Sequence, residues 1–73
     1  MTWEELKEEA KKMGCSISYE GTESELIDIP TNANGELAFY KNGNIKAFEY
    51  PDRVDLFYDI KPDQMLAIMK ALQ

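Results

Sequence analysis

The sequence predicts an α+β domain in which two helices cover one face of an antiparallel sheet, giving a two-layer sandwich. The chain begins and ends with apolar residues at helical spacing. Between these segments, short runs alternate apolar and polar residues with the period of two that marks a strand. Asn-Gly, the strongest short signal for a hairpin, separates two of these runs at residues 42–43. We therefore expect an N-terminal helix, an antiparallel sheet of four to five short strands with a meander at 36–60, and a C-terminal helix.

The first helix is predicted to extend from Thr2 to Met13. Thr2 and Glu5 match a capping box, in which each side chain accepts a hydrogen bond from the other residue's backbone N–H. Gly14 suits the left-handed conformation that commonly ends a helix. One narrow stripe of the helix is apolar and should face the core. It consists of Trp3, Leu6, Ala10 and Met13.

Two short strands are predicted after this helix. Residues 15–19 alternate apolar and polar side chains, and a second run covers about 25–29, where Pro30 ends it. Pairing Ile17 with Ile27 is favoured, because side chains alternate between the faces of a strand and this register collects the apolar ones together. The face so formed would hold Cys15, Ile17, Tyr19, Ile27 and Ile29.

The first turn of the meander, at Asn42-Gly43, allows two loop lengths. A two-residue loop would place Tyr40 opposite Ile45. A three-residue loop with a bulge would instead place Tyr40 with Lys46 and Phe48. Both registers leave aromatic area on the meander, and the sequence does not choose between them.

The last run of the meander, residues 54–60, has two possible structures. As a strand, it divides its side chains between two faces. Val54, Leu56, Tyr58 and Ile60 would face the helices, and Asp55, Phe57 and Asp59 would face away. The alternative is a helix, because aspartates also recur there at helical spacing. We favour the strand, because β-branched and aromatic residues dominate the run and Pro62 ends it.

The closing helix is predicted to begin at Pro62, whose fixed φ suits the first helical position. Asp63 then lies at the positive end of the helix dipole. The apolar stripe of this helix consists of Met65, Leu66, Ile68, Met69 and Leu72. Two helices with one apolar stripe each are most simply buried on the same sheet face, which leaves the other face uncovered.

Length and charge limit the class of protein. The 73 residues suffice for a single domain, 1–73. One cysteine, no signal-peptide pattern and no apolar run of about 20 residues together predict a cytoplasmic protein without a membrane span. The net charge of −6 argues against direct nucleic-acid binding and against anionic membranes. Lys7, Lys11 and Lys12 fall among the glutamates of the first helix, which predicts a solvated face of mixed charge rather than an acidic ridge.

Catalysis, metal binding and cofactor binding are not predicted. The chain has no histidine, and one cysteine cannot build a zinc site. Residues 32–35 resemble part of a calcium loop, but Pro30 and Lys41 occupy positions where that loop needs ligands. Cys15 follows a helix C-terminus, whose negative dipole disfavours a reactive thiolate. We therefore expect a protein that is not an enzyme.

The uncovered sheet face is the predicted site of function, because exposed aromatic area commonly marks a partner site. The candidate partner-binding residues are Tyr40, Phe57, Asp55 and Asp59. The leading hypothesis is a small acidic module that binds a protein partner or forms a homodimer through this face. The alternative is an inhibitor that mimics nucleic acid and occupies a basic groove on its target. A third hypothesis is a small enzyme with a carboxylate acid or base.

Overall fold

The computed structural model describes residues 1–30, 35–49 and 52–72 and confirms the predicted α+β class. Its elements, in chain order, are α1 (Trp3–Lys12), β1 (Ser16–Ser18), β2 (Leu26–Pro30), β3 (Gly35–Tyr40), β4 (Ile45–Glu49), β5 (Asp52–Phe57) and α2 (Pro62–Ala71). The five strands form one antiparallel sheet in the order β1-β2-β3-β4-β5, so each strand pairs with its neighbours in sequence. Residues 31–34 of the polar loop after Pro30 and residues 50–51 of the turn between β4 and β5 lie outside the described residues.

α1 forms with the predicted capping box. The Thr2 hydroxyl accepts a hydrogen bond from the Glu5 N–H at 3.2 Å, and the Glu5 carboxylate accepts one from the Thr2 N–H at 2.9 Å. Gly14, with φ +84°, takes the left-handed conformation that ends the helix. The N–H of Cys15 then donates to the carbonyl of Ala10 at 2.9 Å, which directs the chain into β1.

The core lies between the sheet and the two helices, which confirms that both helices cover one face. Its buried residues are Leu6, Ala10, Ile27, Ile29, Phe39, Ile45, Met65 and Met69. The predicted pairing of Ile17 with Ile27 is present, and the same row continues through Phe39 and Ile45. Within the described ranges, neither helix has the length and apolarity that a membrane crossing requires.

Tyr19 does not join the core face, so this part of the sequence prediction was wrong. β1 ends at Ser18, and Tyr19 has a φ of +55° and a relative exposure of 68%. The carbonyl of Tyr19 accepts hydrogen bonds from the N–H and the hydroxyl of Thr22, at 3.1 and 2.7 Å. These bonds form a turn that directs the Tyr19 ring into solvent.

The β3–β4 hairpin uses the three-residue loop, in which Lys41, Asn42 and Gly43 lie between the hydrogen-bonded residues Tyr40 and Asn44. The Tyr40 N–H donates to the Asn44 carbonyl at 2.8 Å, and the Gly43 N–H donates to the Tyr40 carbonyl at 3.0 Å. Gly43 alone in this loop has a positive φ, +95°. Tyr40 therefore lies with Lys46, whose Nζ is 5.0 Å from the centre of the ring.

β5 is a strand, as predicted, but it ends earlier than expected and contains a bulge. Asp55 pairs with Lys46 and Phe57 pairs with Ile45, so Leu56 is an extra residue without a partner on β4. The bulge interrupts the alternation, and the register places Phe57 on the side of the buried Ile45. The prediction that Phe57 faces away from the helices was therefore wrong. Asp59, with φ +57°, then turns the chain toward α2.

Candidate binding surface

Three connections meet at one end of the sheet, and we call this region the loop end. It comprises the β1–β2 loop (19–25), the β3–β4 loop (41–44), and the end of β5 with the turn that follows it (56–61). Two backbone hydrogen bonds join these segments in a row. The Lys41 N–H donates to the Glu25 carbonyl at 3.1 Å, and the Ile60 N–H donates to the Gly43 carbonyl at 2.8 Å. The three segments therefore support one another rather than moving as separate loops.

Exposed aromatic side chains are concentrated at the loop end. Where side-chain exposure is described, the exposed aromatic residues are Tyr19, Phe57 and Tyr58, at 68%, 53% and 61%. Leu56, at 43%, precedes the last two and completes a run of three exposed apolar residues. The described non-glycine residues with positive φ, Tyr19 and Asp59, also lie here. Strained backbone and exposed aromatic area both favour a functional surface.

Glu25 connects the loop end to α1. Its side chain is 2% exposed, yet every oxygen has a donor. One carboxylate oxygen accepts from the Trp3 indole N–H at 2.5 Å, and the other accepts from the Gly21 N–H at 2.8 Å and from Lys7 Nζ at 3.0 Å. Lys7 Nζ also lies 3.2 Å from Glu4 and 3.3 Å from Glu20. A single buried carboxylate thus fixes the β1–β2 loop against the helix.

This cluster was not predicted from the sequence, because Lys7 was assigned to the solvated face of α1. Lys7 is only 5% exposed. A signal was nevertheless present, since Lys7 lies four residues after Trp3 and three before Ala10, which places it beside the apolar stripe. What the sequence could not provide was its partner Glu25, which is 18 residues away.

The cluster perturbs the pKa values of its members in opposite directions. The Gly21 N–H, the Trp3 indole and then Lys7 lower the pKa of Glu25 from 4.5 to about 2, against the opposing effect of burial. Burial alone would lower the pKa of Lys7, but its hydrogen bonds to Glu25, Glu4 and Glu20 outweigh that effect and raise it. Both groups are therefore charged at neutral pH. Outside the cluster, burial raises the pKa of the Cys15 thiol.

We expect Glu25 to make the free energy of unfolding depend on pH in the acidic range. A carboxyl group whose pKa is lowered by folding stabilises the fold above its unfolded pKa, and this contribution is lost as the pH falls from 4.5 to about 2. The measurement is the urea midpoint of the wild type and of Glu25→Gln at several pH values. The difference between the two proteins should shrink across that window. A difference that stays constant from neutral pH to pH 2 would contradict the assignment.

The candidate residues named from the sequence do not share one surface. Phe57 and Asp59 lie together at the loop end, and Asp59 is exposed. Tyr40 is half-buried on the open sheet face, away from the helices. Asp55 occupies a β5 position opposite Lys46, and its side chain lies outside the described residues. The described apolar residues on the open face expose little area, because Leu26 and Ala38 are buried there and Tyr40 is half-buried.

No group of three or more acidic or cysteine residues in the described part of the chain is arranged to hold a metal ion.

Comparison with protein-family models, with curated proteins and with solved structures finds no match to this chain.

Proposed function

We propose that this protein is a small, acidic, non-catalytic module that binds a protein partner or a second copy of itself through the loop end. The observation that supports the proposal is a run of three exposed apolar residues: Leu56 and Phe57 end the edge strand β5, and Tyr58 follows them. The lone cysteine favours action in the reducing cytoplasm.

The size of the exposed run is compatible with a binding surface. Half-exposed side chains of these sizes present roughly 300 Å² together, which is comparable to the largest apolar patch of many monomers. The hydrogen bonds among the three loop-end segments also reduce the entropy that a partner would have to remove. A patch of this area on a fixed backbone suits a hot spot surrounded by polar residues.

The state of the ionisable groups supports a non-catalytic role. The buried carboxylate, Glu25, and the buried ammonium, Lys7, satisfy each other and neighbouring groups. The Cys15 thiol has a raised pKa, which keeps it protonated at neutral pH. These are features of a structural cluster and an unreactive thiol rather than of an acid, a base or a nucleophile.

The test of the proposed function is Phe57→Ala compared with Phe39→Ala. Phe57 is half-exposed, so its truncation should leave the fold intact and weaken association by about 2 kcal/mol or more. Phe39 is fully buried in the same sheet, so the matched truncation should lower the free energy of unfolding by roughly 3–5 kcal/mol. The measurements are a thermal melt, sedimentation velocity of the pure protein, and capture of partners from host extract by each variant.

A folded Phe57→Ala protein that keeps every association of the wild type would refute the proposal. A Phe57→Ala protein that unfolds like Phe39→Ala would show that Phe57 belongs to the core instead. Both outcomes are read from the same samples.

The nucleic-acid mimic is retained as a second candidate because of one observation, the burial of Lys7. Lys7 Nζ is buried between Glu25, Glu4 and Glu20, so α1 exposes one lysine fewer among its glutamates than the sequence alone indicated. Glu4 and Glu8 are 73% and 71% exposed on that surface. Binding by mimicry would weaken steeply with added salt and would survive Phe57→Ala, which distinguishes it from binding through the loop end.

A further inference from the structure

We propose that Asn42 is a deamidation site that the closed loop end protects, and that conversion of Asn42 to isoaspartate keeps the loop end open. The pair Asn42-Gly43 suits this chemistry, because glycine leaves the backbone nitrogen after the asparagine without a neighbouring Cβ. The Asn42 side chain is exposed, so water and base reach it. The modification would occur on the β3–β4 loop whatever the partner is, so it does not depend on the proposed function.

The reaction takes up water and releases ammonia, without any change of oxidation state. The backbone nitrogen of Gly43 gives up its proton to a base and attacks the side-chain carbonyl carbon (Cγ) of Asn42. The new N–Cγ bond closes a succinimide ring, the Cγ–Nδ2 bond breaks, and the amide nitrogen takes up a proton and leaves as ammonia. Water then opens the ring. Attack of water at Cγ yields aspartate, whereas attack at the backbone carbonyl carbon yields isoaspartate, whose chain continues through the side-chain carbons.

Two hydrogen bonds hold the reacting groups in the closed loop. The attacking nitrogen belongs to the Gly43 N–H, which donates to the Tyr40 carbonyl at 3.0 Å. The group under attack is the Asn42 amide, whose Oδ1 accepts from the Asn44 N–H at 3.0 Å. Because the Gly43 nitrogen must lose its proton and turn toward Cγ, its bond to Tyr40 has to break first. The bond to Asn44 meanwhile restricts rotation of the Asn42 side chain.

The turn between β5 and α2 holds the other side of Gly43. The Gly43 carbonyl accepts from the Ile60 N–H at 2.8 Å, and Gly43 is buried. A Cβ placed on Gly43 would lie 3.2 Å from the Ile60 carbonyl oxygen, so the two backbones are already in close contact. Rotation of the peptide unit between Asn42 and Gly43 therefore requires the loop end to open. The rate of deamidation should follow the fraction of open molecules.

Isoaspartate at position 42 would prevent the loop end from closing again. It lengthens the backbone of the loop by one carbon atom, whereas the hairpin closes through the Tyr40 nitrogen and the Asn44 carbonyl oxygen, which are 2.8 Å apart. The bond between Gly43 and Ile60 depends on the same closed loop. Aspartate at this position keeps the backbone length and an acceptor for the Asn44 N–H. Formation of isoaspartate thus converts a transient opening of the loop end into a permanent one.

The test compares the rate of Asn42 deamidation in the folded and in the denatured full chain. Wild-type protein is incubated at mildly alkaline pH in buffer and in denaturing guanidinium chloride. Trypsin releases residues 42–46 as one fragment, in which chromatography and tandem mass spectrometry resolve asparagine, aspartate and isoaspartate at position 42. Asn44, in the same fragment, is the internal control, because the β-branched Ile45 that follows it hinders attack by its own backbone nitrogen.

We expect Asn42 to deamidate about tenfold or more slowly in the folded protein than in the denatured protein. Equal rates in the two samples, or a faster rate in the folded one, overturn the inference. So does a denatured sample that reacts no faster at Asn42 than at Asn44.

A second measurement tests the effect of isoaspartate on the fold. Protein aged in denaturant is returned to buffer, and its isoaspartate fraction is purified and melted beside Asn42→Asp and beside wild type refolded without ageing. Asn42→Asp adds the charge without lengthening the backbone, so it should melt within about 2 °C of the wild type. The isoaspartate fraction should melt at least about 5 °C lower, because the loop loses its hydrogen bonds. An isoaspartate fraction that melts like Asn42→Asp would mean that the modified loop still closes, which overturns the inference.

Discussion

Replacement of Glu25 by alanine is expected to lower the melting temperature by at least about 10 °C. The Trp3 indole and the Gly21 N–H lose the carboxylate that accepts from them, and the Lys7 ammonium loses its buried partner and keeps only Glu4 and Glu20. A buried donor without a partner destabilises the fold more than the hydrogen bond itself stabilised it. Lys7 is 5% exposed, so its ammonium cannot recover the lost interaction from water without moving α1 or the loop.

Two variants make this prediction specific to the buried cluster. Glu23→Ala removes an exposed glutamate from the same loop and should change the melting temperature by no more than about 2 °C. Lys7→Met keeps the apolar stem and leaves Glu25 with its two other donors, so it should cost less than Glu25→Ala. Similar losses for Glu25→Ala and Glu23→Ala would show that the cluster does not hold the loop.

Local signals in the sequence were sufficient to predict where the helices begin and end. The Thr2–Glu5 capping box, the Pro62 helix start and the left-handed Gly14 each depend on a few neighbouring residues, and the structure contains all three. The pairing of Ile17 with Ile27 was also predictable, because a slip of one residue would bury polar side chains.

Features that depend on distant parts of the chain could not be predicted in this way. The bulge at Leu56 changes the side of Phe57 without leaving a mark in the alternating pattern of β5. Lys7 looked like a surface lysine because its buried partner is remote in sequence. Exposure of Phe57 was expected correctly, whereas its place at the loop end, beside the Tyr58–Asp59 turn, required the register of β4 against β5.

Gly43→Ala is expected to lower the free energy of unfolding by about 2–4 kcal/mol, more than the same change at other glycines with positive φ. Gly43 has a φ of +95°, which disfavours any residue with a Cβ. A Cβ there would also lie 3.2 Å from the Ile60 carbonyl oxygen and 3.3 Å from the Ile60 nitrogen. Both contacts are with backbone, so the β5–α2 turn itself would have to shift. That shift would strain the hydrogen bond from the Ile60 N–H to the Gly43 carbonyl.

Gly21 supplies the matched control for this last prediction. Its φ is +85°, but a Cβ at Gly21 would have no atom within 4 Å. Gly21→Ala should therefore lower the free energy of unfolding through backbone strain alone, by about 1–2 kcal/mol. Urea unfolding measures the loss of free energy of unfolding for each variant. The difference between the two losses is the cost of the close contact between the β3–β4 loop and the β5–α2 turn. Equal losses of stability for the two variants would mean that the β3–β4 loop and the β5–α2 turn can move apart without cost. A larger loss at Gly43, accompanied by weaker association of the folded fraction, would show that this contact also positions the Leu56–Tyr58 surface.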